Sequence, residues 1–206
     1  MVTSWVIILT LTVISILATR KLRDIPGPLQ TAAELALNSM HNFFAGSLGE
    51  KHTRRYFPIF ATFFIFIVVS NYSGQLPGAG HYNAFKVPTA SLSVTAALAI
   101  IAFCTTQGLG IKERGFKHYM KGFLKPVALL LPLTILEQLV RPFSLALRLY
   151  GNIYGEEMVL ENLYEVFPLV LPLIMHVLSL LFCMLQAMVF TMLLAIYVAE
   201  AVEEEE

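Results

Sequence analysis

The stretch PVALLLPLTILEQLVRPFSLALRLYGNIY, Pro126–Tyr154, places the strongest constraint on this chain. It is long and apolar enough to read as a bilayer-spanning helix, yet it carries Glu137, Arg141 and Arg148. A guanidinium at the centre of such a helix costs about 2.5–3.5 kcal/mol on insertion scales. Arginine has no accessible neutral form, so a pKa shift cannot relieve that cost. A fixed cation in hydrocarbon faces a partner carboxylate, a hydrated cavity or an ion path, or else it snorkels to the headgroups. Apolar residues on both sides of Arg148 favour the first group of readings.

Composition extends this reading to the whole chain. Of 206 residues, 57% are hydrophobic and only 14% charged, with a mean hydropathy of +0.70. That balance defines a multi-pass, all-α membrane protein and excludes an ordinary soluble domain. The net charge of zero hides a strong segregation. Apart from Arg141 and Arg148, the basic residues fall into two segments, Arg20–Arg55 and Lys112–Lys125, with Lys86 alone between them. By the positive-inside rule both clusters are cytoplasmic.

The asymmetry yields a topology of about five spans within a single membrane-embedded domain, residues 1–206, with the N-terminus outside and the C-terminus inside. Residues 1–19 form an N-terminal anchor helix followed by the charges of RKLRD. Residues 26–50 place Leu29, Ala33, Leu37, Met40, Phe44 and Leu48 at helical spacing, which suits an interfacial helix on the cytoplasmic face. Residues 57–110 form a two-span hairpin: Phe57–Ser70, short enough to need extension or tilt, and Val87–Leu109, rich in small and hydroxylated residues that pack closely in lipid. The turn between them, Asn71–Lys86, holds glycines and Pro77. Residues 126–200 form a hairpin of two long helices, with Phe167–Val198 as its return. No internal repeat, linker or soluble domain is evident.

The chemistry-bearing residues gather on this last hairpin. At about 100° per residue, Glu137, Arg141, Ser144, Arg148 and Asn152 fall within about 40° of one mean direction and form a polar stripe. Glu137 and Arg141, four apart, can pair. Arg148 has no acidic residue three or four positions away, so its counter-charge must come from another helix or subunit. In the return helix Ser179, Gln186 and Tyr197 share a face. Gln186 is the candidate to hydrogen-bond across to Arg148 or Asn152, or else serves as interhelical glue. His176 lies about 80° off that face, as a packed residue or a relay. Glu156 and Glu157 are either interfacial anchors or the mouth of a hydrated path. Cys104 and Cys183 sit inside apolar spans and read as packing residues. No phosphate-binding loop, metal-ligand set or nucleophile–base motif is present in the sequence. Nothing points to nucleic acid.

These residues carry a resemblance. SLALRLYGNIYGEE, Ser144–Glu157, resembles the signature of the a subunit of rotary F-type ATP synthases: an arginine, Gly-Asn three and four residues on, and a glutamate nine residues on. Here these are Arg148, Gly151, Asn152 and Glu157. MLQAMVFTMLLAIYVAEA, Met184–Ala201, is similar to the family's closing helix, with Gln186 at its glutamine position. SNYSGQLPG, Ser70–Gly78, and PTASLSVTAALA, Pro88–Ala99, resemble the family's second external loop and third span. Two departures stand out. Ser179 occupies a position where many members have histidine, with His176 one turn earlier. Ser91 and Ser93 stand where relatives often have Asp-Asn.

The resemblance implies a non-catalytic stator subunit of the membrane sector, in a bacterial plasma membrane, needing no cofactor or metal. Its partners would be a ring of c subunits, the peripheral-stalk b subunits, the other synthase subunits and membrane lipid. Its last two helices would lie tilted against the ring, with two ion half-channels on either side of Arg148. Asn152, Glu157 and Gln186 would join Arg148 in ion translocation. Glu156, His176, Ser144, Ser179 and Tyr197 would support the access paths. The alternative is an independent ion channel or secondary transporter with an intramembrane arginine; inverted repeats, its usual mark, are missing from the sequence.

Overall fold

A computed structural model describes residues 2–19, 27–75, 87–116, 131–166 and 170–202. Among these, six α-helices account for nearly all the chain: α1 Val2–Thr19, α2 Pro28–Leu48, α3 Glu50–Tyr72, α4 Leu92–Arg114, α5 Leu131–Val166 and α6 Val170–Val202. Short 3-10 turns cover Ser73–Gln75 and Pro88–Ala90. The described residues contain no strand, in line with an all-α chain. Arg20, Lys21, Arg23, Lys86 and Lys117–Lys125 lie outside the described residues, as does most of the turn before Lys86.

The helix boundaries follow local chemistry. Pro28 opens α2 at a position where its missing N–H is no loss. Gly49 ends it at φ +80, a left-handed conformation that favours glycine, and its N–H bonds to Ala45 O at 3.1 Å. The next helix starts at once, so the helix that carries the second span reaches back to Glu50 and forward to Tyr72, well beyond Phe57–Ser70. The third span begins five residues later than Val87, because Pro88 sets a 3-10 turn and α4 starts only after Ser91. It also ends later. Lys112 and Arg114, expected in a loop, form the last turn of α4, where cations suit the negative end of the helix dipole. Gly115, at φ +76, closes it.

Among the described residues three helices are long and apolar enough to cross a membrane: Thr53–Gln75 (the α3 span with its 3-10 end), Leu92–Arg114 and Val170–Val202. The apolar part of α1, Thr3–Leu17, is shorter. The Arg148 helix is not among the three, since Glu137, Arg141 and Arg148 interrupt its apolar stretch; it also runs on past Tyr154 to Val166. It continues unbroken through Pro142, which membrane helices tolerate when the freed carbonyl finds another partner. Large apolar side chains such as Trp5, Leu9, Ile100, Leu139 and Val177 are exposed, as expected where lipid replaces water.

The chain forms two compact units, one comprising Met1–Pro88 with Leu180–Thr191, the other Thr89–Ser179 with Met192–Glu206. In the first unit α2 and α1 pack on α3. Phe44 and Phe60 are fully buried and meet with ring centres 5.5 Å apart. Phe63 stacks on Phe190 of α6 at 6.2 Å. Two polar links tie α3 to the same stretch of α6: Asn71 Nδ2 donates to Cys183 O at 3.3 Å, and Tyr72 Oη donates to Leu180 O at 3.0 Å. Gly74 is needed where it stands, because a Cβ there would collide with the stiff side chain of Val87.

In the second unit α4 packs along α5. Buried Thr95, Leu98, Ala99, Ala102, Thr106 and Gly110 recur at three- and four-residue steps on α4. In the same unit α5 buries Leu145, Ala146, Leu149 and Ile153. Small residues allow the close approach on which helix association in lipid depends. The buried hydroxyls are satisfied within their own helix: Thr106 Oγ1 donates to Ala102 O at 3.0 Å, and Thr95 Oγ1 to Leu92 O at 3.1 Å.

Candidate functional site

The buried side of α5 fixes where its polar stripe points. Leu145, Leu149 and Ile153 turn inward, which sets Ser144, Arg148 and Asn152 about a quarter to a third of a turn away. Ser144 is half-buried; Arg148 and Asn152 are exposed. Among the described residues Arg148 makes no ion pair. Among the described residues, and apart from its chain neighbours and the helix's own backbone, nothing lies within 4 Å of where a Cβ would sit at Gly151 or Gly155. Helical spacing puts both glycines beside Arg148, so the guanidinium stands on a smooth, uncovered strip of helix.

Arg141, two turns earlier on the same stripe, has the opposite environment. Its Nη2 donates to Glu137 Oε1 at 2.6 Å, the pair expected from the sequence. Its Nη1 donates to Glu200 Oε2 on α6. Its guanidinium also stacks 4.9 Å from the ring centre of Tyr197. The backbone carbonyl of Glu200 accepts Arg114 Nη2 from α4 at 3.0 Å. Beside this cluster Gln107 Nε2 donates to Gln138 Oε1 at 3.0 Å. Gln107, Gln138, Arg141, Thr106 and Tyr197 line a cavity of about 20 Å³, room for a single water molecule.

Towards the other end of α5, Tyr164 Oη and His176 Nε2 lie 3.0 Å apart and share a hydrogen bond. Glu156, Glu157 and His176 are half-buried, and each is engaged in a polar or electrostatic contact. Ser179 is buried, and its Oγ has no hydrogen-bond partner among the described residues. Gln186 is also buried, in the first unit. Cys104 is exposed and Cys183 buried, both as free thiols. No group of three or more His, Cys, Asp or Glu suited to a metal occurs among the described residues.

The structure thus joins Tyr197 to Arg141, and His176 to Tyr164. Sequence reasoning missed Glu200, Arg114, Gln107 and Tyr164. Glu200 had a signal: it is the first Asp, Glu, Lys or Arg after the long uncharged run beginning at Val166.

Long apolar helices, the longest described one carrying a paired arginine and an exposed one, define a helical membrane protein. The comparisons with known proteins narrow the class to one family. The family model described as ATP synthase A chain matches residues 1–199. The chain is 42% identical to ATP synthase subunit a 1 of Syntrophotalea carbinolica over 205 residues, covering 98% of this chain and 84% of that protein. It is 42% identical to ATP synthase subunit a of Moorella thermoacetica, covering 98% and 89%. It is 39% identical to that of Geobacter sulfurreducens, covering 98% and 86%. The chain belongs to the ATP synthase A chain family, and is a membrane-sector subunit of an ATP synthase.

Proposed function

We propose that this chain is the non-catalytic stator subunit that forms two ion half-channels against the c-ring, coupling proton or sodium flow to ring rotation and ATP synthesis. The observation that carries the reading is Arg148: exposed, without an ion pair among the described residues, and flanked by the open positions of Gly151 and Gly155. A membrane-embedded cation on so smooth a face suits a passing carboxylate on a closely approaching helix. Arg148 would attract the ionised ring carboxylate, help its ion leave, and repel cations that might cross directly between the half-channels. Each elementary charge moved through the membrane supplies about 2.3 kcal/mol per 100 mV. A leak would waste that work.

Asn152, Glu157 and Gln186 join Arg148 in translocation; Glu156, His176, Ser144, Ser179 and Tyr197 support the access paths. Helix length supports the tilt of the last two helices. At 1.5 Å per residue the 36 residues of α5 and the 33 of α6 reach about 54 Å and about 50 Å, against a hydrocarbon core of about 30 Å. The b subunits of the peripheral stalk and the other synthase subunits complete the assembly in a bacterial plasma membrane. Five spans, with the N-terminus outside, place the chain in it.

The test is made on equal amounts of assembled complex in vesicles. Arg148→Ala abolishes ion-driven ATP synthesis and raises passive ion flux. Arg148→Lys keeps the charge but loses the planar fork, so it blocks the leak better than alanine while failing to restore normal turnover. Near-normal synthesis by the alanine variant overturns the proposal.

A further inference from the structure

Two arginines share the polar stripe of α5, yet among the described residues only one of them has its charge met by an ion pair. Arg141 holds a carboxylate from its own helix, Glu137, and one from α6, Glu200, and covers the ring of Tyr197. Its side chain is 21% exposed. With two carboxylates already beside one guanidinium, a third carboxylate would meet net negative charge rather than an unmatched cation. Glu200 is held twice in turn, by Arg141 through its carboxylate and by Arg114 through its carbonyl. Three helices of the second unit therefore meet at one residue, close to the described end of α6.

We propose that the Arg141–Glu200 bracket is a positioning device for Arg148, fixing the rotation of α5 about its own axis and so the direction in which Arg148 points. The inference rests on the proposed role of Arg148. Residues 141 and 148 are seven apart, within about 20° of the same direction on the helix. A rotation that Arg141 prevents is one that Arg148 would otherwise undergo in full. With side chains reaching about 5–6 Å from the axis, a 20° turn moves such a group by about 2 Å. Misplacement of about 1 Å can lower a positioned reaction by about a hundredfold. The planar fork suits this task, since it fixes two carboxylates at set angles where a lysine would pivot. The hydrogen bond from Gln107 to Gln138, one turn before Arg141, holds the same stretch of α5 against α4.

The experiment uses the whole complex in vesicles, with every rate expressed per assembled complex. Arg141→Gln and Glu200→Gln are made singly and together, beside Arg141→Lys and, as a control, Arg148→Ala. Each single glutamine variant is expected to slow ion-driven ATP synthesis by about tenfold or more. The double variant is expected to be no slower than either single one, because both remove the same contact. Arg141→Lys is expected to recover part of the rate, since it keeps the charge pair. Additive losses in the double variant overturn the proposal. So does a loss confined to the amount of complex assembled, with normal synthesis per complex, since a purely structural bracket behaves that way. If Arg148→Ala supports normal synthesis, the role of Arg148 fails, whatever the bracket does. If Arg148→Ala is inactive while Arg141→Gln turns over normally, the bracket alone fails.

Discussion

Glu157 shows how far a single residue can be read. Its place nine positions after Arg148 was legible in the sequence, and so was its direction, about 180° round the helix. Its half-buried state was not, because burial depends on neighbours that helical spacing cannot name. The proposed role as an access-path group gives a definite expectation. Glu157→Gln slows synthesis partially, by about tenfold or about 1.4 kcal/mol of barrier, with the complex assembled at normal yield. Synthesis unchanged across a range of pH would assign the residue to anchoring alone. Ser179 provides a contrast on α6. Its buried hydroxyl has no hydrogen-bond partner among the described residues, so Ser179→Ala removes an unsatisfied group and leaves stability equal or higher by about 1 kcal/mol, read as the thermal midpoint of the purified complex. The pairings of Arg141 divide in the same way. Glu137 was visible as a four-residue spacing, whereas Glu200 lies 59 residues away and only packing brings it near.

At the level of the helix, local chemistry proved more legible than extent. Apolar spacing over residues 26–50 matched α2, Pro28–Leu48, whereas Gly49 and Gly115, which close α2 and α4, were stop signals left unread. Charge misled at the end of α4, where Lys112 and Arg114 read as loop but continue the helix; basic residues are as much at home in a last turn as in a loop. The apolar pattern of α5 ended at Tyr154, yet the helix runs to Val166, since helix propensity persists through Glu156, Glu157 and Glu161 after hydropathy has faded. The open face of α5 supplies a prediction of its own. Gly151→Leu fills space that nothing in the described chain occupies, and exchanging glycine for leucine inside a helix favours the helix by up to about 0.8 kcal/mol. The folded chain should be no less stable by thermal melting in detergent, while ion-driven synthesis falls by about tenfold or more. Normal synthesis would mean that no partner approaches that strip closely.

For the molecule as a whole, composition was enough to mark a membrane protein, because 57% hydrophobic residues with only 14% charged ones, gathered in spanning-length runs, leave too little polar side chain for an ordinary soluble surface. Its orientation is an expectation that labelling can check. In a background with Cys104→Ser and Cys183→Ala, Ala79→Cys should react with an impermeant reagent from outside and Lys112→Cys only from inside; reversal of both refutes the N-out topology. The division into two units was not legible, since it rests on meetings such as Asn71 with Cys183, 112 residues apart, which no local pattern announces. The division also has a consequence in time. The middle of α6 belongs with the first unit, whose remaining members end at Pro88. At about 5–20 residues per second, the 92 residues between positions 88 and 180 (180 − 88) take about 5–18 s to synthesise. For that interval α1, α2 and α3 are already made while the seat of Phe190 against Phe63 is still empty. Biogenesis of this subunit is therefore not strictly vectorial: its earliest part is completed by nearly its latest.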